Sequence, residues 1–365
     1  MSAAARAVRT GLASRGADAS PRPAPAAVLA LLAALVAGVA VLSLGTGAVA
    51  IPPGRVVDVL RAGRAGASAD PGLLRDVAIV LDIRMPRTLV GLAVGALLAV
   101  SGALLQGLFR NPLADPALIG VSSGSTVAVA GVIVLGHRFA TGPLPFEVLP
   151  VAAFLGALAA TALLYAIATR RGRTSIATML LAGVALAALS MAGTGFLAFL
   201  SDDRQLRDLS FWTLGAVGGA TWTKLAAILP MLALTFAAAP FLARALNALV
   251  LGEAEAFHLG IAVQRVKALA VLTIAVAVGA AVATAGPVGF VGLVVPHAVR
   301  IVAGPDHRVL LPASALLGAA LLVAADMVAR VAVAPAELPI GIVTALIGAP
   351  YFLWLLLRRS TVLDA

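Results

Sequence analysis

The feature that most constrains this chain is a series of uncharged stretches long enough to cross a bilayer. They fall at about residues 27–49, between Arg87 and Arg110, from Asp115 to His137, then at 148–169 and 175–200. Further runs lie between Lys224 and Arg244, at 268–296, at 309–325 and at 338–357. A membrane-spanning helix needs about 17–25 apolar residues. The 268–296 run is too long for one straight span and contains Gly286-Pro287. Proline removes a backbone donor and clashes with the preceding turn, so a helix stops there. Splitting the run into 266–285 and 288–302 gives ten spans, with both termini on one side. The second piece, VGFVGLVVPHAVR, is short and glycine-rich. Irregular backbone at membrane depth survives only inside protein or along a water-filled path. The expected fold is therefore all-α and polytopic. It has a disordered basic tail over 1–25, one ten-helix membrane domain over 26–358, and a cytoplasmic C-terminal tail over 359–365.

Charge supports this layout. Only 12% of the 365 residues are charged, about half the share usual in soluble domains. The net charge of +10 is almost all arginine, since Lys224 and Lys267 are the only lysines. In a soluble protein this balance would raise nucleic-acid binding. In a membrane protein it reflects arginines on cytoplasmic loops, at helix ends and against anionic lipid, and no nucleic-acid partner is expected. The uncharged run from Pro23 to Gly54 exceeds the 7–15 residues of a cleavable signal core, so it reads as a retained first span. Basic residues in the N-terminal tail, Arg170-Arg171-Arg173 and Arg358-Arg359 favour placing both termini on the cytoplasmic side. Arg55, Arg61, Arg64, Arg75, Arg84 and Arg87 break that rule, clustering in or beside the first outer loop.

A weak internal repeat relates VGALLAVSG (94–102) to VGAAVATAG (278–286). The two segments would cross in opposite directions, as in transporters built from inverted repeats. Catalytic signatures are missing. There is no G-x-x-x-x-G-K-[ST] phosphate loop and no His-x-x-x-His metal spacing. Without cysteine there is no thiolate site. No enzyme, cofactor or metal centre is expected. Ion-coupled transporters keep ionisable groups in mid-membrane; here the spans are nearly bare, and the main candidate, Asp326, lies late in its span. It stands four residues before Arg330, the order of a helical ion pair. A transporter with neither an ATP site nor an evident ion site draws its energy from a partner.

Two polar stretches remain. In RNPLADPALIGVSSGS, 110–125, Asn-Pro and Asp-Pro mark turns, and Asp115 or Ser122 can cap the next helix. In LGEAEAFHLGI, 251–261, Leu251, Ala254, Phe257, His258 and Ile261 fall at helical spacing, with Gly252 and Gly260 at the ends. Helices lying on lipid favour Lys and Arg, whereas this one carries Glu253 and Glu255, so docking on a cytoplasmic protein fits it better.

These stretches carry a resemblance. IRMPRTLVGLAVGALLAVSGALLQGLFRNPLADPALIGVSSG (83–124), LGEAEAFHLGI (251–261), AGPVGFVGLVVPHAVRIVAGPDHRVLLP (285–312) and AELPIGIVTALIGAPYFLWLL (336–356) are similar to permease subunits of iron-siderophore, haem and cobalamin ABC importers. The resemblance implies a ten-helix, type II importer permease. It would pair with a second permease chain, two cytoplasmic ATP-binding subunits and an extracytoplasmic substrate-binding protein. It implies coupling contacts to the ATPase at Gly252, Glu253, Ala256, Leu259 and Gly260. Arg84, Arg87 and Arg330 would pair with glutamates of the binding protein. The translocation path would run along 174–199 and a short helix at 209–223. Thr174, Ser175 and Thr178 would lie near a cytoplasmic gate, and Gly183, Gly193 and Gly195 would allow close approach or pathway width. Ferric siderophore is the expected cargo, ahead of haem or cobalamin. An ion-gradient-driven secondary transporter is the alternative, and a membrane scaffold a third reading.

Overall fold

The computed structural model describes residues 23–66, 71–136 and 148–363. The basic tail expected over 1–25 lies, up to residue 22, outside the described residues. Helices α1 (Pro25–Gly45) and α2 (Pro53–Gly66) are followed by α3 (Pro71–Val77). A π-helical stretch, Ala78–Arg84, carries α3 directly into α4 (Met85–Leu108). Next come a 3-10 turn at Pro116–Ile119, α5 (Val121–Leu135) and α6 (Val148–Ala168). A two-stranded hairpin, β1 (Thr169–Arg170) with β2 (Arg173–Thr174), then leads into α7 (Ile176–Phe199). The rest is α8 (Asp203–Thr213), α9 (Trp222–Leu249), α10 (Glu253–His258), α11 (Val263–Ala285), α12 (Val291–Ala303), α13 (His307–Val331) and α14 (Ile340–Leu363).

All ten expected spans are helices among the described residues. Seven are long and apolar enough to cross a membrane, and α5, α12 and the apolar part of α14 are shorter. The break at Gly286-Pro287 is present: α11 ends at Ala285 and α12 begins at Val291. The last helix continues to Leu363, past the boundary expected at 358.

Helix α4 is the axis of the bundle. All its residues except Met85, Leu89 and Leu92 are buried, as befits a helix apolar on every side. It packs on α13, α11, α12 and α9. Lipid tails are as apolar as leucine, so helices in a bilayer associate through close packing and hydrogen bonds rather than hydrophobic collapse. The sequence supplies that packing with glycine: a Cβ at Gly95 would overlap the Gly318 carbonyl of α13, and one at Gly102 the Gly292 carbonyl of α12. The two repeat segments run antiparallel on neighbouring helices. Ala285, at the end of α11, bonds Ala216 of a loop (214–221) that also covers Arg87, near the start of α4. In contrast, α1 and α7 leave large apolar side chains exposed, among them Leu31, Leu181, Met191 and Phe199.

Candidate functional site: two polar ends of the bundle

One end carries α10. Gly252 enters it at φ 126° and Gly260 leaves at φ 82°, both left-handed conformations that suit glycine. The helix between them is less than two turns long and is held by its neighbours α9 and α11. Ala256 points inward and is 0% exposed. Leu251 and Phe257 of the expected stripe point outward, 65% and 69% exposed, as does Leu259 at 63%, whereas Ile261 packs partly buried on the core. This corrects one expectation, for Ala256. Ala256 anchors α10 to its own chain and cannot touch a partner. Glu253 is half-exposed, and its Oε1 lies 2.7 Å from the buried Lys267 ammonium, so reversing its charge would set two cations together inside the fold. The exposed patch instead consists of Leu251, Phe257 and Leu259, flanked by Gly260.

Lys267, which sequence reasoning passed over, is 3% exposed. Besides holding Glu253 it donates to the Thr174 carbonyl at 2.9 Å. The Thr174 N–H donates to Gln264 Oε1 at 2.9 Å, so α11 side chains hold both polar groups of that peptide segment. The Thr174 hydroxyl pairs with Thr169 at 2.9 Å. Ser175 then caps α7, its Oγ accepting from the Thr178 N–H at 3.2 Å and the Thr178 hydroxyl at 3.0 Å. The one sequence signal for Lys267 was a lone lysine just ahead of an uncharged run.

The gate and path residues therefore divide. Thr174 is buried and bonded within the chain, and so lines no open path here. Gly183 is buried, its carbonyl beside Gly120. A Cβ at Gly193 would press on Val127 of α5 at 3.1 Å. Both glycines serve packing between α7 and the entry to α5. Gly195 alone of the three faces open space, with exposed Phe196 and Phe199 nearby. The helix expected at 209–223 occupies 203–213 instead, because Asp202 and Gln205 form a capping box at its start. Residues 214–221 form the loop over Arg87. Also at the α10 end, Asp115 caps the Pro116–Ile119 turn, while Ser122 does not cap α5. Burial raises the Asp115 carboxyl above its ordinary value, opposed by the Ala117 N–H. The Arg308 N–H and then the Asn247 amide hold Asp306 below its ordinary value.

The opposite end carries the three arginines, and all are buried. Arg84 donates to the carbonyls of Leu44, at 2.8 Å, and Val49. Arg87 grips Asp326 in two directions, with Nη2 to Oδ1 at 2.8 Å, and reaches Glu337 at 2.8 Å. Arg330 pairs with the same Asp326 and donates to the Ser43 carbonyl at 3.1 Å. The i,i+4 pair expected from sequence is present, and a second arginine joins it. The expectation that these guanidinium groups are presented outward is corrected: each already has partners inside the chain. Only Glu337, with a side chain 48% exposed, gives the cluster an edge on the surface. The 214–221 loop roofs it, with Ile340 N–H bonded to Gly215 at 3.0 Å and Gly341 N–H to Leu214 at 3.1 Å.

A glycine-packed helical bundle with one internally sealed end and one end bearing an exposed helix on glycine hinges defines a multi-span membrane permease. The chain belongs to the FecCD transport family, whose pattern matches residues 32–358. It is 46% identical over 289 residues to the hemin transport system permease protein HmuU of Yersinia pestis, covering 77% of this chain and 84% of that one. It is 50% identical over 282 residues to the cobalamin import system permease protein BtuC of Halobacterium salinarum, covering 77% and 74%. A solved inward-facing conformation of a metal-chelate type ABC transporter superposes with a TM-score of 0.78 at 32% identity, covering 91% of this chain and 99% of that one. These relatives are permease proteins of transport or import systems and the solved neighbour is an ABC transporter, which favours the importer-permease reading over a secondary transporter or a scaffold.

Proposed function

We propose that this chain forms the transmembrane path of an ATP-driven importer for a bulky metal chelate, working by alternating access at the axis between two permease chains. The observation that carries the proposal is the short α10. Its glycine hinges and outward Leu251, Phe257 and Leu259 leave an apolar patch unpaired at an end that also bears Glu255. Such a patch, rimmed by polar residues, suits a protein interface, and a cytoplasmic ATPase subunit is its natural occupant. The relatives named for hemin and cobalamin favour a macrocyclic chelate, with ferric siderophore next. Inner-membrane placement with both termini in the cytoplasm follows the same reading.

The proposal is tested in proteoliposomes holding this permease, its ATPase subunits and its binding protein, offered hemin, cobalamin or a ferric hydroxamate. Uptake of one of them that requires ATP and survives an uncoupler supports the reading. Uptake that persists without ATP rejects it. The outer arginines keep a conditional role: acidic groups of the binding protein would compete with Glu337 for Arg87. Glu337→Gln should then tighten docking, most clearly at low salt, and unchanged docking would leave the arginines purely structural.

A further inference from the structure

Lys267 joins two elements with separate duties. Its ammonium meets the Glu253 carboxylate of α10 and the Thr174 carbonyl of the hairpin. Contacts of α10 are chiefly with α9 and α11, and those of the hairpin chiefly with α6 and α11. The two elements thus share this side chain as a partner. A buried ammonium is tolerated only while its partners stay in place, so neither element can move away from Lys267 cheaply. Gln264 sits one turn before Lys267 on the same helix face and holds the other side of Thr174. The next residue, Ser175, caps α7. The chain of bonds therefore runs from α10, through Lys267, to the first turn of α7, the long helix whose exposed apolar face includes Leu181, Val184, Leu189 and Met191.

We infer that Lys267 is a positioning residue that transmits displacement of α10 to the foot of α7. This rests on the importer reading above and adds a residue to it. Glu253 fits the scheme because it is half-exposed: a partner seated on α10 can pull on it while its carboxylate still holds Lys267. Glu253 is then the handle, Lys267 the link and the Thr174-Ser175 segment the load.

The test uses the complete transporter with ATPase subunits and binding protein in proteoliposomes, reading hemin uptake and ATP hydrolysis together, with cobalamin in parallel. Lys267→Met removes the donor from the half-exposed Glu253 carboxylate, which water can satisfy, and from the Thr174 carbonyl, a loss the bundle should survive because the Gln264 side chain still holds the Thr174 N–H. The expected result is at least a tenfold fall in chelate moved per ATP hydrolysed. Lys267→Arg, which keeps the charge and the donors, should recover most of it. A Lys267→Met transporter with the wild-type ratio would overturn the inference. If that variant does not accumulate, the doubly neutral Glu253→Gln, Lys267→Met pair is read the same way. Hydrogen exchange on the wild-type complex gives an independent arm: seating the ATPase should change protection in 251–260 and in 169–178 together. A change in the first segment alone would also overturn the link. Wild-type transporter that moves no chelate with ATP would count against the importer reading, while the exchange arm still decides the role of Lys267.

Discussion

The two ends of this bundle handle charge and apolar surface in opposite ways. At one end three arginines and one acid, Asp326, are folded in. Asp326 lies between Arg87 and Arg330, and loop 214–221 closes over them. At the other, a helix of six residues turns Phe257 out, with Leu251 and Leu259 exposed on either side of it. Its small Ala256 fills the inward position. One end is finished by its own chain and the other is left for something else. The difference shows that residue type alone does not mark an interface. Arginine, so often exposed, is buried and paired within the chain here, and leucine and phenylalanine are exposed.

The comparison can be broken first at Asp326. Replacing it with alanine leaves Arg87 and Arg330 buried without their shared carboxylate. Removing one partner of a buried ion pair costs about 3–5 kcal/mol, so Asp326→Ala should sharply lower the unfolding temperature of the purified permease. A melting curve like that of the wild type would mean the sealed end is not held by charge. A smaller effect is expected at Ala256, where leucine overfills a closed position. Overpacking costs about 1–3 kcal/mol, visible as a reduced yield of folded protein, whereas the outward patch should tolerate size changes without loss.

Much of this was legible in the sequence, because the bilayer allows so few solutions. The length of each uncharged run and the Gly286-Pro287 break marked the body of every helix, while several ends, such as Val331 and Leu363, lie six residues beyond the run. The hinges at Gly252 and Gly260 followed from glycine placed on either side of a short amphipathic segment. Side-chain partners were less visible, since they depend on contacts distant in the chain. Arg87 meets Asp326 across 239 positions and Lys267 meets Thr174 across 93. Periodicity along one helix cannot show either. The same limit explains Ala256. The spacing placed a stripe on α10 correctly but could not say which side faced the core, because α9 and α11 decide that.

The weakest expected effect lies at the rim of the sealed end. Arg55 and Asp76 pair at 2.8 Å with the arginine side chain 37% exposed. Pairs of this kind contribute at most about 1 kcal/mol. Asp76→Asn should shift the melting temperature only slightly, with the shift vanishing in high salt. A large, salt-resistant loss would show that the boundary between sealed and open regions is drawn in the wrong place.

The central claim is that the α10 patch is a docking surface for the ATPase, independent of the stability of the bundle. It is tested by co-purifying the ATPase subunit with wild-type permease and with a Phe257→Ser, Leu259→Ser variant, and melting both permeases alone. Exposed positions away from packing change stability by about 0.5 kcal/mol or less. The account predicts equal melting temperatures and at least a tenfold loss of bound ATPase. Equal melting with ATPase retained at wild-type stoichiometry would contradict it.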